Sequence, residues 1–217
     1  EPVLDEVHMV SADDSVVITT EKSAQVTVPH TAHIYLKLHK PCGVVCTRQA
    51  EKSSSRPIVA SYFPAGTEHC HNVGRLDRKS EGLLLVTSDG IFTRAVLEPE
   101  GKLEKEYLAL VSCKRDGRPP PSSALAQLLD GVDLGDNKSE AVAEVADVES
   151  FDGSYARLRL VVTSGRFHMV RRMLRKIGYT CLQLIRTRIG DIAGVTPVQQ
   201  SLRDAAEEAY RQDSLLP

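Results

Sequence analysis

The sequence predicts an α+β fold built on a largely antiparallel sheet, and three observations carry that prediction. Segments that alternate polar and apolar residues outnumber segments with a helical period. Most of them are joined by hairpin-like connections, which antiparallel neighbours need and parallel ones do not. From Gly165 onward the apolar period changes from that of a strand to that of a helix, so a helix must pack on the sheet. There is no internal repeat.

Residues 1–32 are polar and β-leaning, through Val16-Val17-Ile18-Thr19-Thr20 and Gln25-Val26-Thr27-Val28, and are expected to form a short hairpin attachment. Pro29-His30-Thr31 is the expected joint to the main domain, residues 33–217. His33 to His39 alternates, with Ile34, Leu36 and Leu38 on one face and Tyr35 and Lys37 on the other, as a half-buried strand does. Pro41-Cys42-Gly43 turns the chain, and the serine-rich stretch Gln49 to Arg56 reads as a mobile loop. Leu83 to Val86 is a buried strand, bracketed by Gly74, Gly82 and Gly90. Ile91 to Leu97 follows the Asp89-Gly90 turn as a short helix, and Glu106 to Val111 is a strand. After the Gly/Pro loop Lys114 to Pro121, Ser122 is expected to cap a helix through Leu129. Val142 to Val148 and Tyr155 to Val162 form a strand pair around the turn Phe151-Asp152-Gly153-Ser154. In the last helix Phe167, Val170, Leu174 and Ile177 form the apolar stripe, with Gly178 as its C-terminal stop. Arg171 lies at the margin of that stripe and Arg172 and Lys176 lie opposite it. Tyr179 to Ile189 is again a strand.

The 217 residues, 41% hydrophobic and 26% charged, are enough for one full core with a small appendage. No stretch is long and apolar enough to span a bilayer, and no signal-peptide pattern opens the chain. It begins with Glu1-Pro2 rather than Met, as removal of an upstream targeting segment or domain would leave it. Five cysteines at irregular spacing suit reduced thiols inside a cell. Cys42, Cys46 and His69-Cys70-His71 lack a matched ligand pair, so no metal is expected. The net charge of −2 conceals an asymmetry. Between Asp152 and Asp191 there is no acid, yet nine of the 27 lysines and arginines fall there. They are Arg157, Arg159, Arg166, Arg171, Arg172, Arg175, Lys176, Arg186 and Arg188. A solvated helix face normally interleaves acids with its bases; this pattern favours a polyanionic partner, nucleic acid.

Asp77 stands out because it lies between two core-bound segments, flanked by Arg75 and Arg78. Such a carboxylate is either a working group or an acid held by arginine for structure alone. If it works in a dry pocket it needs a cation, and Arg171, able to turn inward from the stripe, is the candidate for a bidentate pair. A glycosidase-like pair with Asp89 is disfavoured, since a strand of core length separates the two.

Four segments together resemble the pseudouridine synthases, specifically the RsuA/RluB/RluE/RluF branch that modifies ribosomal RNA. Residues 37–47, with Lys40-Pro41-Cys42-Gly43, are similar to the opening strand and K-P-x-G turn. GRLDRKSEGLLLVTSDG at 74–90 resembles the catalytic loop and strand, with Ser80 where threonine is usual and Ser88 where asparagine is usual. Lys105-Glu106-Tyr107 is similar to the K-x-Y strand start. Gly165 to Met173 and Arg186-Thr187-Arg188-Ile189-Gly190 resemble the basic helix and R-x-R-I-G strand, with Met169 in place of the usual glutamine.

The resemblance implies a mixed, mostly antiparallel sheet flanked by helices around a central active-site cleft. It implies Asp77 as the essential carboxylate, which attacks C1′ of the target uridine or removes its C2′ proton. Tyr107 would stack on the flipped base; by its strand position alone it is a packing aromatic. Arg171 completes the catalytic set. Arg75, Arg78, Arg166, His168, Arg172, Arg175, Lys176, Arg186 and Arg188 would bind RNA. Isomerisation has no net redox or phosphate-transfer step and calls for no cofactor. The expected partner is ribosomal RNA or a pre-ribosomal particle, met by a monomer in the cytoplasm or an organelle matrix. An S4-like RNA-binding module often precedes this domain in the branch; residues 1–32 are too short for one but could be its closing hairpin. The rival reading is a non-catalytic RNA-binding or ribosome-assembly factor on the same fold.

Overall fold

The computed structural model describes residues 16–19, 25–28, 33–49, 55–98, 103–136, 138–194 and 202–215. The joint at Pro29-His30-Thr31 and most of the serine-rich stretch, residues 50–54, lie outside them. The chain forms two compact units, residues 1–33 and 34–217. In the first, β1 (Val16–Thr19) pairs antiparallel with β2 (Gln25–Val28), Val16 opposite Val28.

The second unit is one mixed sheet with helices on both faces. Its strands are β3 (Tyr35–Lys40), β4 (His71–Val73), β5 (Glu81–Thr87), β6 (Lys105–Ser112), β7 (Val145–Phe151), β8 (Tyr155–Val162), β9 (Thr180–Ile189) and β10 (Ile192–Ala193). The order across the sheet is β3-β5-β9-β6-β8-β7, with β4 on β5 and β10 on β9. Every pairing is antiparallel except β5 with β9, which touch in parallel through Glu81–Ile185 and Gly82–Arg186. Only glycine allows that seam. Gly82 has φ +102°, and a Cβ there would lie 2.3 Å from the Arg186 carbonyl oxygen.

The alternation of β6 divides the core. Ala109 and Val111 face one layer with Met169, Val170, Met173 and Leu174 of α3 (Met169–Lys176) and Leu128 of α2 (Ser122–Asp130). Leu110 faces the other, against Leu202, Ala205 and Ala206 of α4 (Leu202–Leu215). β5 divides likewise: Leu83 and Leu85 pack with Val96 of α1 (Gly90–Leu97), and Leu84 packs with Val44 and Val59. Asp89 caps α1 by accepting from the Ile91 and Phe92 amides, and the Tyr35 hydroxyl donates to its other oxygen at 2.6 Å. That is its role, and it lies away from Asp77.

Three local expectations need correction. Pro121, not Ser122, is the N-cap of α2, and no side chain caps that end. Residues 141–144 do not yet run in β7: Ala141 bridges to Val132 and the Ala143 amide donates to the Leu128 carbonyl, so the chain follows α2 before joining β8. Phe167 is not part of the apolar stripe. His168 takes a left-handed φ of 50° as the N-cap of α3, so the helix begins only at Met169 and Phe167 stands outside it, 73% exposed. Met169 fills the buried position instead; its sulfur accepts from the Ser164 hydroxyl at 3.2 Å.

Candidate active site

The segment 74–80 links β4 to β5, and its own amides and its neighbours fix its shape. The Ser80 amide donates to the Asp77 carbonyl at 3.0 Å, the Gly43 amide to the Arg78 carbonyl at 2.8 Å, and the Leu76 amide to the Cys46 sulfur at 3.3 Å. Three cations reach carbonyls of the loop and its neighbours. Lys40 Nζ reaches the Arg78 carbonyl at 3.4 Å while donating to those of Pro41 and Val44 at 2.8 and 3.0 Å. Arg171 Nη2 donates to the Lys79 carbonyl at 2.7 Å and its Nη1 to that of Cys181 at 2.8 Å. Arg186 Nε donates to the Leu83 carbonyl at 2.8 Å, and its Nη1 to that of Arg75 at 3.5 Å. A well-formed hydrogen bond from a charged donor contributes about 1.5–3 kcal/mol; on the loop itself the 2.7 Å bond of Arg171 meets that standard, and the longer Lys40 and Arg186 contacts add less. Lys40 is wholly buried. Burial pulls its pKa below the ordinary lysine value, against the opposing negative potential of Cys46, Cys42, Glu81 and Asp77.

Asp77 sits on this braced loop with its side chain 26% exposed. It does not pair with Arg171, which instead braces the loop through Lys79. The side chain that meets Asp77 is the imidazole of His168, whose Nε2 lies 3.6 Å from Oδ1. The left-handed backbone at His168 turns that ring toward Asp77, and Phe167 stacks on it with centroids 3.9 Å apart and planes 14° from parallel.

An open cleft of about 1060 Å³ brings together Asp77, Tyr107, Phe167, His168, Arg171 and Arg186. Tyr107, just past a bulge after Glu106, is 9% exposed and belongs to the cleft floor. Arg75, Arg78, Arg166 and Arg175 also line the cleft. Arg186 Nη2, Arg171 Nε and Ser80 Oγ are buried there without a hydrogen-bond partner in the protein.

The expected RNA-binding set divides. Arg75, Arg175 and Lys176 are exposed. Arg186 is 4% exposed and belongs to the support of the loop, not to the surface. Arg188 pairs with Glu104 at 2.8 Å and Glu106 at 3.7 Å, so its charge is offset where a phosphate was expected. Arg166 and Arg172 both pair with Asp136, at 3.1 and 3.2 Å, and Arg172 also donates to the Leu134 and Phe167 carbonyls. Burial works against the Asp136 charge, but Arg166 and Arg172 hold its carboxyl below the usual range. The acid missing from 152–191 is therefore supplied by a distant loop.

Two functional candidates escaped the sequence reading. Lys40 was legible only as the first residue of the K-P-x-G turn, and Phe167 was hidden by counting it into the helix. Among the described residues no group of three His, Cys, Asp or Glu side chains is placed to hold a metal ion, and no helix is long and apolar enough to cross a membrane.

The sequence profile described as RNA pseudouridylate synthase matches residues 34–176. The chain is 33% identical over 159 residues to the ribosomal small subunit pseudouridine synthase A of Yersinia pestis, covering 73% of this chain and 63% of that one. It is 31% identical over 154 residues to the ribosomal large subunit pseudouridine synthase B of Bacillus subtilis, covering 70% and 60%. The chain thus spans about three-fifths of the length of these relatives. A crystal structure of a pseudouridylate synthase superposes with TM-score 0.63 at 25% identity, covering 84% of this chain and 76% of that one. The match runs through the braced loop, the strand of Tyr107 and the helix of Arg171, and the chain belongs to the RNA pseudouridylate synthase family, in the branch of these small- and large-subunit synthases.

Proposed function

We propose that the chain isomerises a uridine of ribosomal RNA to pseudouridine, with Asp77 as the carboxylate that opens the glycosidic bond. The observation that carries this reading is the placement of Asp77: a part-exposed carboxylate on a loop braced by three cations, over a cleft whose floor includes Tyr107. A carboxylate held for structure alone would be capped by its own arginine. Here Arg171 and Arg186 donate to backbone carbonyls, and Asp77 lines the cleft with its Oδ1 3.6 Å from His168.

The chemistry asks one group to work. In one route an Asp77 oxygen attacks C1′, the C1′–N1 bond breaks, and the electron pair leaves with the uracil ring. After the ring turns, C5 displaces the carboxylate from C1′, then loses its proton while N1 gains one. In the other route Asp77 removes the C2′ proton, and the C1′–N1 bond breaks to leave a C1′=C2′ glycal and the uracil anion. After the ring turns, C5 adds to C1′ as Asp77 returns the proton to C2′; C5 then loses its proton while N1 gains one. Both use an ionised carboxylate, balance without any oxidant or phosphate, and need no cofactor. The target base must leave its stack, at a cost of a few kcal/mol, and the Tyr107 ring offers it a new face. Arg75, Arg78, Arg175 and Lys176 supply sequence-independent phosphate contacts.

The test is pseudouridine formation on ribosomal RNA transcripts by the purified protein. Asp77→Asn should lower the single-turnover rate by more than about 10³-fold while RNA affinity stays within a few-fold. Wild-type activity with equal activity in Asp77→Asn would sink the assignment of Asp77. An inactive wild type with intact binding would favour the assembly-factor reading.

A further inference from the structure

We infer that Phe167 and His168 form a nucleobase-binding step at the rim of the cleft, which receives the base adjacent to the target uridine. The inference rests on the isomerase reading for the identity of the target, but its physical basis is separate.

Phe167 is 73% exposed, which for a phenylalanine in a protein with few aromatic residues needs a reason. One face of its ring lies on the His168 imidazole, centroids 3.9 Å apart and nearly parallel, so the other face is presented outward. That arrangement is the spacing of stacked bases rather than of a core aromatic pair. A nucleobase on the outer face would extend a stack already begun by two side chains.

Three features hold the step in place. His168 takes the left-handed backbone conformation, alone among the described non-glycine residues, and this swings Phe167 clear of α3. Arg172 donates to the Phe167 carbonyl, and Arg166, next in the chain, is tied to Asp136. The inner end of the step is His168 Nε2, 3.6 Å from Asp77. A base on Phe167 is thus connected through one imidazole to the reacting centre. Tyr107 at the floor is 9% exposed and offers a face only to a base that has entered fully. Phe167 at the rim meets a base that has not. A phenyl ring has no hydrogen-bonding group, so the step recognises a base by its π-face and tolerates any of the four.

The probe is an RNA hairpin with one loop uridine and 2-aminopurine beside it, 5′ in one version and 3′ in the other, bound by the Asp77→Asn protein so that no turnover intervenes. Stacking on Phe167 should quench 2-aminopurine in one of the two versions. Phe167→Ala should abolish that quench and weaken binding by roughly 5- to 150-fold, the range for loss of one base–aromatic stack. Phe167→Trp should restore both, and Phe167→Leu should not. An abasic ribose at the quenched position should erase the difference between wild type and Phe167→Ala. Thermal midpoints should be nearly equal across these variants, since the ring is exposed.

Equal losses for Phe167→Ala on intact and abasic RNA, or full rescue by Phe167→Leu, would overturn the proposal, as would absence of quench in both versions. The isomerase reading fails differently. Quench and rescue intact, with wild-type protein forming no pseudouridine on its ribosomal RNA, would leave the step standing and remove the activity.

Discussion

The loop that carries Asp77 and the rim that carries Phe167 face each other across one cleft, and they are built in opposite ways. The loop has its carbonyls bound by Lys40, Arg171 and Arg186, cations that are buried or half-buried and cannot leave. The rim is tied through Arg166 and Arg172 to one carboxylate, Asp136, that is partly solvent-exposed. Bonds from buried cations to carbonyls restrain a backbone, and a reacting carboxylate needs such restraint. Ion pairs near the surface are worth about a kcal/mol or less, and a phosphate can displace them. Sequence alone shows one run of basic residues; geometry separates those that hold backbone carbonyls from those paired to a surface acid, which we propose meet RNA.

The sharpest way to break that contrast is Arg171→Ala. Removing the clamp on the Lys79 carbonyl should slow the chemical step by about 10²-fold, with RNA affinity within about twofold. Single-turnover kinetics beside equilibrium titrations decide it; loss of affinity with an unchanged rate would make Arg171 a phosphate contact after all.

Lys40→Met should have the next largest effect, about 10-fold or more on the chemical step, again without loss of affinity. It also carries a pH signature. Because burial lowers the folded-state pKa below 10.5, the unfolded chain binds the proton more tightly in the alkaline window. The wild type should therefore gain stability relative to Lys40→Met as pH climbs from the folded-state value toward 10.5. Urea melts across that window measure it, and a pH-independent difference would mean that the ammonium carries no burial cost.

Arg175→Ala and Lys176→Ala should act on binding alone. Each is expected to weaken RNA affinity several-fold and to reduce the slope of log affinity against log salt by about one. Arg188→Ala, its charge offset by Glu104 and Glu106, should change that slope less than either.

The smallest effect belongs to Asp136→Asn. Loss of its two ion pairs should cost about 1 kcal/mol or less in stability, while freeing Arg166 and Arg172 should raise RNA affinity at low salt. Unchanged affinity would show that the two arginines are structural in the complex as well.

The parts of this arrangement that were legible in the sequence are those encoded locally. Alternation gives β6 and β8, a continuous apolar run gives β5, and the motif around Asp77 identifies the loop. What the sequence hides depends on partners far along the chain. Arg186 and Arg188 stand two apart on β9 and so share a face, yet one is buried and the other is not. Gly82 admits the β5 backbone beside Arg186, bringing Leu83 and the loop over it, whereas Arg188 lies opposite Glu106. No periodicity encodes that difference. Asp136 is likewise invisible from 152–191, because it is thirty residues from Arg166. Phe167 fits a helical pattern, and only the backbone of His168 takes it out. α4 drew no expectation because its buried face is largely alanine, at 205, 206 and 209, which gives a weak periodic signal.

The parallel seam between β5 and β9 has a consequence in time. It joins residues 81–82 to 185–186, and the Arg186–Leu83 hydrogen bond closes a separation of 103 residues. Closing so long a loop is entropically costly, and only two register pairs at the seam reward it directly. β3 and β5 can pair early and β6 with β8 can pair separately, but neither event brings Arg186 beneath Asp77. During synthesis the loop can gain its bonds to Lys40, Gly43 and Cys46 early, but those from Arg171 and Arg186 only when nearly the whole domain has left the ribosome. On the proposed role of Asp77, the loop is complete only when folding is almost finished, so a nascent or truncated chain would hold the motif without the chemistry.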